Sequence, residues 1–360
     1  MPNSPTTTEL VTPAEALTAA RRWTSIEDLG RSDLPMLAVD LRGLQRTFRQ
    51  HNQDHELAEL VAASTWVNVA VVDRDLDPAF VELADGFDVL IGDGTDSTVA
   101  FDTLDVTAAL HELSAAIASS PQAAVALARL LRTSHDLSVA QALHAESLTY
   151  AMLQTSERYQ QWLAKRAGNE TSPTEDEVVD VERTGSLLKI TLQRPTKRNA
   201  LNVAMRDQLA EALTLLDLDT SLDGAILAGA GDNFSAGGDL DEFGSTPSPA
   251  MGHHVRMVRS LPALMHRVRE RTRVHVHGAC VGAGIELPAF ASAVIAHPDA
   301  TFQLPEVGFG LVPGAGGTVS VTRRCGRHLA AWLALTGNTI SAEQALRWRL
   351  IDRIDERVFT

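Results

Sequence analysis

Hydrophobic and polar positions along this chain of 360 residues change repeat several times. Near the start, two short apolar runs at 66–72 and 87–91 read as buried strands, and the Asp-Pro step at Asp77 opens a short helix over 77–85 between them. From 115 to 166 the apolar residues recur at helical spacing, Ala124, Leu127 and Leu131, then Ala145, Leu148 and Met152, which predicts two or three helices. The segment 168–177 (GNETSPTEDE) is polar, acidic and interrupted by Pro173, so it reads as a linker between two packed units. Beyond it, 187–193 predicts a strand, 203–217 a helix and 224–227 another strand. Strands that alternate with helices predict α/β layering with crossovers, and the glycine-rich segments fall where strands give way to helices, where such folds place ligands.

The longest apolar stretch, 278–296, is nearly the length of a membrane span but carries Glu286 in its middle and Pro288 just after. A carboxylate at the centre of a bilayer costs roughly 2.5 to 3.5 kcal/mol on insertion scales, so the stretch reads as a buried strand end and helix, and no membrane partner is expected. Composition agrees with a globular chain: 44% hydrophobic and 21% charged. A formal charge of −15 argues against nucleic acid, which needs a basic surface, yet leaves room for a local cluster of Arg and Lys around an anionic ligand. Only Cys280 and Cys325 are present and neither is in a CxxC pair, so neither a disulfide framework nor a zinc site is expected. With no basic or apolar leader at the N-terminus, a cytoplasmic location fits best.

Three stretches could carry chemistry. In Phe234-Ser235-Ala236-Gly237-Gly238-Asp239-Leu240, adjacent glycines allow backbone N–H groups to point into one concavity, although an ordinary loop capped by Asp239 would look the same. In 277–286 (HGACVGAGIE) a glycine-rich turn runs directly into a helix whose free N–H groups suit a developing oxyanion. Glu286, in that first turn, could merely complement the helix dipole, but its apolar flanks imply burial, and a buried carboxylate without a task is costly. Glu306 lies in Phe302-Gln303-Leu304-Pro305-Glu306-Val307-Gly308 and is followed by the glycine-rich 311–318; a lone Glu after Pro is more often a surface acid. Together, two carboxylates in apolar surroundings and two donor loops outline general acid/base chemistry on a carbonyl compound.

These pieces, with 194–202 (RPTKRNALN), resemble the crotonase (enoyl-CoA hydratase/isomerase) family over about 179–354. The resemblance implies a spiral of ββα turns in the C-terminal half that binds an acyl-CoA thioester, coenzyme A being part of the substrate and no other cofactor being needed. It places the oxyanion donors at the N–H groups of Ala236 and Ala283. The adenine and phosphates would lie against Lys197, Arg198, Ala200 and Leu201, with Gly237, Gly238 and Asp239 completing the substrate-binding loop. Glu306 would donate the proton to the α-carbon, while Glu286 orients and activates water with help from the backbone of Gly314. The family commonly assembles trimers or pairs of trimers, which implies a homo-oligomer.

Family members continue past the segment resembling 345–354 into a helical tail, whereas this chain stops at Thr360. Such a tail is recognisable earlier, at 108–166, with Ser119-Ser120-Pro121-Gln122-Ala123 and Glu146. The implied organisation is a lead-in (1–32), a degenerate crotonase-like α/β domain with the helical tail (33–168), a linker (169–177) and the catalytic core (178–360). Hydration of a 2-enoyl-CoA, or the reverse dehydration, suits the glutamate pair. The same scaffold also supports isomerisation and cofactor-free oxygenation, and a non-catalytic acyl-CoA binding protein is the reading of another class. A metal enzyme built on His253-His254 or His275 and His277 is disfavoured by the absence of a carboxylate at HExxH-type spacing.

Overall fold

The computed structural model describes residues 10–22, 36–43, 51–73, 81–94, 98–166 and 177–359. Five parallel strands form the first sheet: β1 (Leu10–Val11), β2 (Met36–Asp40), β3 (Val67–Val72), β4 (Val89–Asp93) and β5 (Phe101–Thr103), side by side in chain order. Successive side chains on a strand point to opposite faces. Met36, Ala38, Val67, Val69, Val71, Val89 and Ile91 accordingly enter one core, and Leu37, Val39, Ala70, Val72 and Leu90 enter another. The sheet is buried on both faces, which is why its strands read as unbroken apolar runs. Helices α1 (Pro13–Arg22), α2 (His51–Ala63) and α3 (Val81–Asp85) lie on the second core. The expected helix over 77–85 is seen from Val81; 74–80 and the linker at 168–176 lie outside the described residues.

Four helices follow rather than two or three: α4 (Val106–Ser119), α5 (Pro121–Ser134), α6 (Val139–Leu153) and α7 (Glu157–Ala164). Pro121 at the first position of α5 breaks the run, because it has no N–H to continue the helix before it. On α6 the buried face also differs from the expected one. Leu148 and Met152 are exposed, whereas Ala142, Leu143, Glu146, Ser147 and Leu153 are buried.

The C-terminal half begins with the antiparallel pair β6 (Val179–Thr184) and β7 (Leu187–Leu192), followed by α8 (Val203–Leu218) and β8 (Gly224–Gly229). Next come α9 (Pro249–Val258), α10 (Leu261–Val268), β9 (Thr272–Val276), β10 (Ala279–Val281), α11 (Ala283–Glu286) and β11 (Ala293–Ala296). The chain closes with β12 (Thr301–Gln303), α12 (Gly317–Cys325), α13 (Arg327–Thr336), β13 (Ile340–Ser341), α14 (Ala342–Arg347) and β14 (Arg353–Ile354). The main sheet has the order β14-β11-β9-β8-β7-β6, parallel from β7 onward, and a small sheet of order β10-β12-β13 stands beside it. Repeated strand–turn–helix units that advance one place along each sheet produce the ββα spiral.

The two halves share one core. Leu110 and Leu113 of α4 and Leu127 and Leu131 of α5 join the cluster that contains Leu329 and Trp332 of α13. Phe101 stacks on Trp332 with ring centroids 3.8 Å apart and meets Trp348 edge-on at 6.5 Å. Arg132 of α5 pairs with the buried Asp88, whose carbonyl faces His328 at 3.2 Å. Helix α6 packs on α9, α10 and α12, and α7 packs on the 3₁₀ turn Glu306–Phe309.

Candidate active site

Glu286 ends the single turn of α11, 2% exposed. Its Oε2 accepts from the N–H groups of Ala315 and Gly317, each at 2.8 Å. Glu306 begins the 3₁₀ turn after Pro305 and is half-buried, with Oε2 enclosed and without a hydrogen-bond partner. Gly282, at φ +51, separates the pair: a Cβ there would collide with Glu306 Oε1 and come 3.8 Å from Glu286 Oε1. The space over Gly282 is therefore bordered by an oxygen of each carboxylate.

A third carboxylate joins them. Glu146 of α6, 2% exposed, accepts from Gly316 N at 2.8 Å through Oε1, and from Thr318 N at 3.0 Å and Thr318 Oγ1 at 2.6 Å through Oε2. Four consecutive N–H groups at the start of α12 thus alternate between Glu286 and Glu146. The sequence places Glu146 in the tail but gives it no part in the site. The available signal was a lone acid on a helix whose expected apolar face left it aside.

Burial raises the proton affinity of all three. Glu146 is pushed up to about 8, by burial first and then by Glu286, against the pull of its donors. Glu286 is pushed to about 7 by burial, opposed by the Ala315 and Gly317 N–H groups. Glu306 lies well above the usual carboxylate range through burial, then Glu286, and, to a smaller degree, Glu146. Three acids this close cannot all ionise, and donors favour the charged form. Glu306, whose Oε2 has no partner, is the natural holder of a proton, and the donor-rich Glu286 the natural carboxylate.

Around this centre the two glycine-rich loops face each other. Gly237, at φ +88, leaves no room for a Cβ, which would stand 2.6 Å from Val281 O and 3.5 Å from Ala283 N. The Ala283 N–H has no hydrogen-bond partner among the described residues. Ala236 departs from the expectation: its N–H is already donated to Arg198 O at 2.8 Å, because Arg198, at φ 50, turns its carbonyl onto it. Any oxyanion contact by Ala236 has to share that proton. Asp239 also departs from its expected place in the binding loop. It is buried in an ion pair with Arg194 at 3.0 Å and caps Asp241 N. Ala200 and Leu201 are buried as well, their backbones tied to Arg194 and Gly237, so they brace the loop. Lys197 is half-exposed, 3.3 Å from Asp241, and Arg198 is exposed at the surface of the same loop. Gly238 packs against Phe243, and Gly314 against Tyr150, whose ring would lie 2.5 Å from a Cβ there.

An aromatic cluster joins the two halves at the 3₁₀ turn that carries Glu306. Trp162 of α7 stacks on Phe309 at 4.9 Å and on Tyr159 at 5.8 Å, and meets Phe243 edge-on at 5.6 Å. His253 contacts Ser147 Oγ at 2.9 Å and His277 contacts Gly231 O at 2.8 Å. Among the described residues, no group of three or more His, Cys, Asp or Glu is placed to hold a metal ion, and no helix is long and apolar enough to cross a membrane.

Fold and site together define a ββα-spiral protein with paired acids beneath opposed backbone-donor loops. Residues 182–358 match the enoyl-CoA hydratase/isomerase family. The chain is 36% identical over 177 residues to 2,3-dehydroadipyl-CoA hydratase of Escherichia coli K12, spanning 48% of this chain and 68% of that protein. It is also 36% identical over 169 residues to 1,2-epoxyphenylacetyl-CoA isomerase of the same organism, spanning 46% of this chain and 64% of that one. A solved structure of an enoyl-CoA hydratase from Thermoplasma volcanium GSS1 aligns with 50% of this chain and 72% of its own at 32% identity and a TM-score of 0.46. The chain belongs to the enoyl-CoA hydratase/isomerase (crotonase) family, and is an enzyme of that type.

Proposed function

We propose that the protein adds water across a 2-enoyl-CoA thioester to give the 3-hydroxyacyl-CoA, and catalyses the reverse dehydration. The observation that carries this reading is the convergence of Glu286 and Glu306 on the space over Gly282, with donors on one acid and none on Oε2 of the other. Two acids whose surroundings differ in this way divide into a base and a proton donor. Water held between them loses a proton to Glu286 as its oxygen bonds to C3. The electrons of the double bond move toward the thioester carbonyl, where the Ala283 N–H, with the shared Ala236 N–H, stabilises the enolate. Glu306 then delivers its proton to C2, and the proton on Glu286 returns to Glu306 before the next cycle. Gly314, whose backbone adjoins Ala315, borders the water.

Lys197 and Arg198 are our reading for the phosphate and adenine end of coenzyme A, with the backbones of Ala200, Leu201, Gly237 and Gly238 shaping the loop and Asp239 bracing it through Arg194. We further read 33–168 as a catalytically silent copy of the spiral with its helical tail. Its support is parallel strands in chain order, equal spacing from Val72 to Val89 and from Val276 to Ala293, and no glutamate pair between them.

Mixing the protein with crotonyl-CoA and longer 2-enoyl-CoAs tests the reaction through the ultraviolet absorbance of the conjugated thioester. Absorbance is expected to fall, and to persist with Glu306→Gln. Binding of saturated acyl-CoA with no loss of absorbance from any enoyl-CoA would overturn hydration in favour of isomerisation or binding alone.

A further inference from the structure

Arg256 of α9 is a cation with no anionic partner among the described residues. Its Nε donates to Ser147 Oγ at 3.0 Å and its Nη2 to Ser147 O at 3.3 Å, while Nη1 has no acceptor among the described residues. Among the described residues no carboxylate oxygen lies within 4.0 Å of it, although the side chain is half-buried. Removing a guanidinium from water without a charged partner is unfavourable.

Its position connects it with the catalytic centre. The guanidinium lies 4.5 Å from the centre of the Tyr150 ring, and the edge of that ring abuts Gly314, next to the Ala315 that holds Glu286. A Cβ at the buried Gly252 would stand 3.4 Å from Nη1, 3.6 Å from Thr246 Oγ1 and 3.7 Å from Gln154 Oε1. That Gln154 oxygen is buried without a donor, and the amide turned over would present its N–H₂ instead. Arg256 and Thr246 therefore bring donors to one point beside Tyr150, with the Gln154 amide at its edge. Burial lowers the Arg256 proton affinity, and Tyr150 and then Glu146 only partly offset this.

We propose that this group is a subsite for a carboxylate at the far end of the acyl chain, so that the protein takes ω-carboxyacyl-CoA thioesters, with Arg256 pairing with the substrate carboxylate. The proposal rests on the thioester site described above, but not on which reaction occurs there.

Binding of saturated thioesters tests it without turnover. Calorimetric Kd values would be compared for adipoyl-CoA and hexanoyl-CoA, and for suberoyl-CoA and octanoyl-CoA, in the wild-type protein, Arg256→Leu and Arg256→Lys. The wild type should prefer one ω-carboxy ligand over its methyl-ended partner by about tenfold or more, the scale of a shielded ion pair. Arg256→Leu should abolish that preference while shifting the methyl-ended Kd by less than about threefold, and Arg256→Lys should keep part of it. No preference in the wild type, or a preference retained in Arg256→Leu, would overturn the proposal. If Arg256→Leu does not fold, the wild-type ratio and its loss at high salt decide. Failure of enoyl-CoA hydration alongside a retained binding preference would count against the reaction and not against the subsite.

Discussion

Glu146 and Glu286 grip alternate links of one backbone turn: Gly316 and Thr318 donate to the first, Ala315 and Gly317 to the second. The turn opens α12, so both acids also lie at the positive end of a helix. Because α6 supplies Glu146, the part of the chain before the linker segment shares the backbone turn that holds Glu286.

Replacing Glu146 with Gln should therefore alter catalysis more than binding. The variant keeps an acceptor but loses the charge that raises Glu306. Glu306 then gives up its proton at lower pH, so the alkaline limb of the kcat/KM profile should move to lower pH, with kcat reduced about tenfold at neutral pH through misalignment of Glu286. The Kd for saturated acyl-CoA should change less than about threefold. An unchanged pH profile would reduce Glu146 to a structural role.

Stability should fall as pH rises. Glu146 and Glu286 have folded-state proton affinities above the ordinary carboxylate value of 4.5, at about 8 and about 7. Between 4.5 and those values the folded chain binds more protons than the unfolded one. The linkage slope is then negative, and the stabilisation from neutral buried acids, complete below 4.5, is lost as pH passes through about 7 and 8. Urea midpoints measured from pH 5 to pH 9 should decline in the wild type and decline less in Glu146→Gln.

Gly282→Ala should leave the fold in place and remove most activity. The added Cβ meets Glu306 Oε1 and sits on a backbone at φ +51. Strain of roughly 1–2 kcal/mol is tolerable for a folded chain, whereas a displacement of Glu306 by about 1 Å costs around a hundredfold in rate. Circular dichroism melts and enoyl-CoA turnover separate the two effects.

Residues 177–360 expressed alone should be insoluble or inactive. The cut removes Glu146, Tyr150 and Trp162 from the site and uncovers Trp332, which is 1% exposed beneath Phe101 in the intact chain. Co-expression with 1–176 should restore soluble, active protein. A stable and active fragment would show that the helical tail is dispensable.

Much of the site was legible because its signals are local. Glycine at 237 and 282, acids at 286 and 306, and the strand-to-helix turns that present them are set by backbone sterics within a few residues. Two of the five strands before the linker, β3 and β4, were legible for the same reason, since strands buried on both faces must be wholly apolar, whereas β1, β2 and β5 were not read from the sequence. Glu146 was not legible as a site residue. Helical spacing pointed to Leu148 and Met152 as the inner face of α6, but these are exposed, and the buried face is turned toward the N–H groups of a helix that begins 170 residues later. No local propensity encodes that partner. Nor could the sequence show that Asp239 is consumed by Arg194, that the Ala236 N–H is donated to Arg198, or that Arg256 meets no anion among the described residues. The sequence by itself determined the family, the spiral and the pair of acids, because each depends on short stretches of backbone and their order. Only the tertiary structure decided which buried charges meet, because in a low-dielectric interior the fate of a carboxylate or guanidinium depends on the donors that distant segments bring to it.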